Sequence, residues 1–174
     1  IDLPGEKRGM IPNDKYYDKN YNGFWNGLTI ISIAIGQGEV TATPLQMANL
    51  GATIANRGYF ITPHVVKEVE DEALDSLYTT KRYTKVREEH YETVVQGMRA
   101  AVTGGTCRAA NLPGLDVCGK TGTAQNRGKD HSAFMGFAPM NNPKIAVAVY
   151  VENGGWGATY GVPIGALIME KYLN

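Results

Sequence analysis

Asp116-Val117-Cys118-Gly119-Lys120-Thr121-Gly122-Thr123-Ala124-Gln125 opens a series of three strand candidates that decides the fold of this chain. Ser132–Ala138 and Lys144–Val151 follow it, and Pro139-Met140-Asn141-Asn142-Pro143 is a turn cluster between the second and the third. Short apolar runs broken by turn residues read as strands. Strands joined by connections this short must pair antiparallel, because a parallel crossover needs a dozen or more residues. Residues 116–151 therefore predict a three-stranded antiparallel meander.

Helices flank it. In Tyr160–Leu173, residues Val162, Ile164, Leu167, Ile168, Met169 and Leu173 make a closing helix that would cover one sheet face. Upstream, Tyr91, Val94, Val95, Met98 and Val102 form one apolar stripe within Glu88–Thr103, with the spacing of an amphipathic helix. Glu88, Glu89 and Glu92 crowd its first turns, where the helix dipole favours acid, and Gly104-Gly105 end it. Thr43-Pro44-Leu45-Gln46 has the grammar of another helix start: a capping Thr, a Pro at the first helical position and a Gln able to complete a capping box. That helix runs to Ala55, and Gly58 is the expected left-handed stop. Tyr59–Val69 reads as a strand, and residues 70–87 as a charged excursion. Leu28–Ile35 reads as an extended or buried turn, and residues 1–27 as an irregular segment without a core of its own. Helices before and after one antiparallel sheet define an α+β layered fold.

The 174 residues suit one domain or one large lobe of a bigger one. Lys+Arg and Asp+Glu both number 17, and this zero balance argues against nucleic acid as a partner, which would favour a basic face. Leu28–Ile35 and Ile145–Val151 are far short of the ~20 apolar residues that span a bilayer. The chain opens Ile-Asp-Leu-Pro-Gly-Glu, without an initiator Met or a charged-then-apolar leader. An export signal or membrane anchor is therefore expected upstream of residue 1. Cys107 and Cys118 read as two unpaired thiols, with a disulfide left open. His64, His90 and His131 show no ligand spacing, so neither a metal site nor a cofactor is expected.

The candidate site is Lys120-Thr121-Gly122-Thr123, on the first strand of the meander. A strand edge offers N–H and C=O groups to an extended peptide, which adds as a further strand. Gly122 lacks a Cβ and lets a ligand backbone approach. Thr121 and Thr123, two apart, share a face. Lys120 supplies positive charge from the opposite alternation or at a twist, and the Thr123 backbone N–H could donate to an oxyanion. A lone Lys-Thr-Gly could equally be a strand with a bulge at Gly122. Trp156, after the last strand, is a candidate for the rim of a cleft, although packing is the plainer role for it and for Trp25. His131 reads as a surface-loop histidine rather than a base.

With its flanks, the tetrapeptide resembles the third motif of the penicillin-binding proteins, a family marked by Ser-x-x-Lys, Ser-x-Asn-type and Lys-Thr-Gly motifs. Ile1–Glu6 resembles the stretch that follows the second motif in the class B members. Ser32-Ile33-Ala34-Ile35-Gly36-Gln37-Gly38, Thr43–Ala48 and Ala55-Asn56-Arg57-Gly58 are similar to their signature helix region. Lys120–Gln125 and His131–Pro139 resemble the paired strands of their site. The match runs nearly end to end, in order, and looks most like the elongation-type members. The resemblance implies part of a penicillin-binding protein/serine β-lactamase-like fold and a serine acyltransferase that cross-links the D-Ala-D-Ala-bearing stem peptides of peptidoglycan. It also implies acylation by β-lactams, elongation-machinery partners and a periplasmic location. By this resemblance Lys120, Thr121, Gly122 and Thr123 bind the substrate carboxylate, and the Thr123 N–H helps to hold the oxyanion. A β-lactamase or β-lactam sensor of the same fold, and a non-catalytic cell-wall module, are the alternatives.

Two motifs have no counterpart. Three residues after Ser32, Ser76 and Ser132 stand Ile35, Thr79 and Met135 rather than Lys; two residues after them stand Ala34, Tyr78 and Phe134 rather than Asn. Residues 1–174 therefore read as the C-terminal part of a transpeptidase domain whose nucleophile and lysine lie upstream. By itself the chain is expected to be inactive and to self-associate through the surface its missing half would cover.

Overall fold

The computed structural model describes residues 1–174. Its elements run α1 (Asp14–Asn20), α2 (Gly27–Ala34), α3 (Pro44–Ala55), β1 (Tyr59–Phe60), α4 (Ser76–Thr79), β2 (Arg82–Tyr83), α5 (Glu89–Thr103), a 3-10 turn at Arg108–Ala110, β3 (Cys118–Ala124), β4 (His131–Ala138), β5 (Ile145–Val151) and α6 (Gly161–Leu173). Residues 1–6 together with 44–174 form one compact unit, and residues 7–43 a second.

In the larger unit the expected meander is present as an antiparallel sheet in the order β3-β4-β5. Thr121 stands opposite Phe134 and Thr123 opposite Ser132, while Phe134 faces Val149 on the other side. β4 is central, and Phe134 and Phe137 alternate to opposite faces, both fully buried. Phe134, Val147 and Val149 pack with Val162, Ala166 and Met169 of α6 and Val102 of α5. Cys118 and Phe137 pack on the other face with Ala55 of α3 and with Val95 and Met98 of α5. Each large side chain buried this way contributes roughly 1.5–3 kcal/mol.

α6 covers the sheet as expected, and of the six residues named for it Val162 and Met169 are buried and Leu173 packs against the same core; the other three do not face the sheet. Gly161, Val162, Gly165, Ala166 and Met169 are its buried positions. Ile164, Leu167 and Ile168 face outward at 39%, 63% and 44% exposure. The small residues win because the helix lies close to the Phe134 ring, and a Cβ at Gly165 would collide with that ring. In α5 the buried stripe is Tyr91, Val95, Met98 and Val102; Val94 lies outside it.

α3 ends at Ala55 as expected, but the left-handed stop begins one residue before Gly58. Arg57 adopts the left-handed conformation (φ +57°). Its N–H donates to the Ile54 carbonyl at 3.0 Å, and that of Gly58 to Thr53 at 2.9 Å, the paired bonds of a Schellman stop. Gly58 is required for space as well, because a Cβ there would lie 2.9 Å from the Tyr91 ring.

The strand expected over Tyr59–Val69 shrinks to the two residues of β1, paired with β2 through Tyr59–Tyr83 and Phe60–Arg82. Pro63 has no N–H to offer a ladder. Further on, the Val65 and Val66 amides donate to the Asp2 carboxylate instead, at 3.0–3.2 Å.

The smaller unit corrects two expectations. Residues 1–27 are not wholly irregular: Asn13 accepts from the Tyr16 amide and caps α1, which buries Tyr17. The Tyr17 hydroxyl donates to Glu39 at 2.8 Å, and the Tyr21 hydroxyl to the other Glu39 oxygen. These two phenols, with Tyr21 foremost, hold the Glu39 carboxyl below its usual range. Leu28–Ile35 is neither extended nor buried. It forms α2, started by a capping box between Asn26 and Thr29, and none of its residues is buried. The helical cost of isoleucine is only a fraction of a kcal/mol per residue, so a good cap overrides a β-branched run.

Candidate active-site strand

The four candidate residues lie in the middle of β3, an outer strand of the sheet. The register puts Thr121 and Thr123 on the α6 face, with their opposite residues Phe134 and Ser132. Lys120 and Gly122 alternate to the other face, opposite Met135 and Ala133. The Lys120 side chain is exposed, and its Nζ donates to the Thr121 carbonyl at 2.8 Å.

The outer edge of β3 is only partly open. The Thr121 hydroxyl pairs with that of Thr106 at 2.8 Å, and the Thr121 backbone amide reaches the Cys107 thiol. Cys107 is completely buried; burial pushes its thiol pKa up, against the opposing pull of these donors and of Lys120. Cys118 is likewise a free, buried thiol, raised to about 11 by burial. Because backbone N–H groups alternate along a strand, an outward amide at Thr121 sets the Thr123 amide on that same outer edge. The turn at 106–107 thus covers the edge as far as Thr121, and the ligand-accessible stretch begins beyond it.

Behind the strand, the segment that leads into α6 lies against the sheet. The Gly157 amide approaches the Thr123 hydroxyl at 3.4 Å. A Cβ at Gly157 would fall 2.5 Å from the Gly122 carbonyl and 2.6 Å from that of Ala133, so only glycine fits. The preceding Trp156 leaves its indole 76% exposed. His131 is not in a loop as expected but is the first residue of β4, opposite Ala124; its Nδ1 accepts from the Asn153 amide at 2.9 Å and its ring lies against Tyr150. Trp25 donates to Asp18 at 2.8 Å. Reading the sequence missed the roles of Thr106 and Gly157, which bond to Thr121 and Thr123 of β3, and of Ser132, which bonds from β4 to Trp156 and Gly161. The one local cue was the Gly104-Gly105 stop, which turns Thr106 and Cys107 back onto the strand.

An outer Lys-Thr-Gly-Thr strand on a three-stranded antiparallel sheet covered by a C-terminal helix is the arrangement of the penicillin-binding protein and serine β-lactamase-like class of folds. The family described as penicillin binding protein transpeptidase domain matches residues 1–172, and the chain belongs to it. Among curated relatives, the peptidoglycan D,D-transpeptidase MrdA of Acinetobacter baumannii is 34% identical over 91% of this chain and 26% of its own length. The chain thus spans about a quarter of that relative. Among solved structures, Pseudomonas aeruginosa PBP2 in complex with WCK 5153 superposes with a TM-score of 0.84 at 35% identity, over 99% of this chain and 39% of that one. Helicobacter pylori PBP2, solved in complex with MreC, gives 0.83 at 26% identity over 99% and 32%. No helix is long and apolar enough to cross a membrane.

Proposed function

We propose that this chain is the carboxylate-gripping part of a peptidoglycan D,D-transpeptidase of the wall-elongation type. The observation that carries the reading is the Lys120–Thr123 edge, with the Thr123 amide turned outward and the Thr123 hydroxyl on the α6 face. In the whole enzyme a serine from outside these residues attacks the penultimate D-Ala carbonyl of a stem peptide. The serine ester forms as the bond to the terminal D-Ala breaks, and that amine leaves with a proton. An amine of a second stem then attacks the ester, forms the cross-linking amide and frees the serine.

Within this scheme the Thr123 hydroxyl donates to the terminal carboxylate in a charge-assisted hydrogen bond. Lys120, rooted on the other face with its ammonium at the Thr121 carbonyl, adds positive charge at the strand edge. Thr121 donates to it only while accepting from Thr106, since one hydroxyl hydrogen cannot serve both. Gly122 leaves room for the substrate backbone, and the Thr123 amide meets the oxyanion, where one such donor is worth about 2.7–4 kcal/mol of barrier. β-Lactams, which carry a comparable carboxylate, occupy the same grip. The site works on the extracytoplasmic face of the cytoplasmic membrane, and a partner like the MreC bound by the Helicobacter pylori relative fits the elongation role. Without Ser-x-x-Lys, residues 1–174 alone catalyse neither reaction.

Labelling with fluorescent penicillin tests this. The whole enzyme should give a labelled band after denaturing electrophoresis, one carrying Lys120→Ala and Thr123→Val a much weaker band, and the 174-residue chain none. An undiminished band from the double variant, or a band from the isolated chain, would reject the reading.

A further inference from the structure

We propose that Ser132 is a positioning residue that sets the Thr123 hydroxyl as a donor toward the substrate carboxylate; the proposal rests on the carboxylate grip described above. Ser132 stands directly opposite Thr123 in the β3–β4 register and is completely buried. Its Oγ donates to the Trp156 carbonyl at 2.9 Å and accepts from the Gly161 amide at 3.0 Å. Gly161 is the first residue of α6, and the residue before it, Tyr160, makes no side-chain capping bond. A strand serine thus caps the helix from outside and clamps the 156–161 segment onto the sheet.

The clamped segment includes Gly157, whose N–H points at the Thr123 hydroxyl oxygen at 3.4 Å. A hydroxyl that accepts there directs its own hydrogen elsewhere. A carboxylate is an acceptor only, so it needs this hydrogen. Ser132 therefore acts on the ligand through Trp156, Gly157 and Thr123 without touching it. With no Cβ tolerated at Gly157, the main-chain amide is the group fitted to this place.

The test compares acylation of the whole enzyme by benzylpenicillin and by its methyl ester, which lacks the anionic carboxylate. Ser132→Ala should cut the acid-to-ester ratio of acylation rate constants by roughly three- to tenfold, the worth of about one hydrogen bond. In a Thr123→Val enzyme the ratio should already be low, and adding Ser132→Ala should lower it no further. Acid and ester slowed equally by Ser132→Ala, an unchanged ratio, or a full additional loss in the double variant would overturn the proposal. If Ser132→Ala does not fold, Ser132→Cys keeps the volume with a weaker hydrogen bond, and its acid-to-ester ratio must still fall. A Thr123→Val enzyme that treats acid and ester as the native enzyme does would sink the carboxylate grip itself. Discrimination lost on Thr123→Val but kept on Ser132→Ala would sink only the role of Ser132.

Discussion

The ring of Phe134 occupies the space a side chain at Gly165 would need, and the same ring lies 2.5 Å from where a Cβ at Gly119 would stand and 2.6 Å from one at Gly136. One aromatic side chain is thereby seated on three glycines from β3, β4 and α6. It sets the distance at which the closing helix lies on the sheet. Gly165→Ala improves helix propensity by up to about 1 kcal/mol but overpacks the core, which typically costs 1–3 kcal/mol. The collision should prevail, with a net loss of up to about 2 kcal/mol by denaturant titration. Adding Phe134→Leu to Gly165→Ala should cost less than the sum of the two single changes. Simple additivity would show that the ring does not govern this spacing.

Arg57 joins three elements. Its guanidinium donates to the Ala55 carbonyl at 2.7 Å and to Met140 at 3.4 Å, and it pairs with Glu92 at 3.3 Å. Arg57→Ala should destabilise by roughly 1–3 kcal/mol, because partly buried carbonyls lose a charged donor. Glu92→Gln should cost well under 1 kcal/mol, since the Glu92 end of the pair is exposed. Equal losses from the two variants would place the value of Arg57 in the ion pair instead.

Cys118 makes stability depend on alkaline pH. Burial raises its thiol from an ordinary 9.0 to about 11. The unfolded thiol therefore ionises first, and the preference of the fold for the neutral thiol is fully present below about pH 9. It is lost as pH rises from about 9 to about 11. The melting-temperature advantage of the native chain over Cys118→Ala should accordingly shrink across that interval. A constant advantage would mean that the thiol is not held neutral by the fold.

Phe24, Leu28, Ile31 and Ile35 are 88%, 75%, 59% and 71% exposed, an apolar surface of the kind that drives association. The 174-residue chain studied alone is expected to self-associate with rising concentration in sedimentation velocity, and Leu28→Lys with Ile31→Lys should suppress this. A concentration-independent monomer would count against the expectation.

The sheet and the candidate strand were legible because their cues are local. The short apolar runs, the turn cluster at 139–143 and the Lys-Thr-Gly-Thr motif all lie within residues 116–151. α5 was legible for the same reason, through its 3.6-residue stripe. α2 was misread because Ile30, Ile31, Ile33 and Ile35 imitate a strand, while the deciding signal was the small Asn26–Thr29 cap. Val162 and Met169 of α6 were read correctly, but Ile164, Leu167 and Ile168 were not, since the glycines and alanine that lie against the sheet carry no comparable hydrophobic signature. Ser132 was invisible as a cap because Trp156 and Gly161 lie 24 and 29 residues away. Thr106 meets Thr121 only after the chain turns back at Gly104-Gly105.

The most direct measurement is a crystal structure of the whole enzyme acylated by benzylpenicillin. The account predicts the drug carboxylate within about 3 Å of the Thr123 hydroxyl, and the acyl oxygen within about 3 Å of the Thr123 amide. A carboxylate held by other residues, with the edge of β3 beyond Thr121 left to solvent, would contradict it.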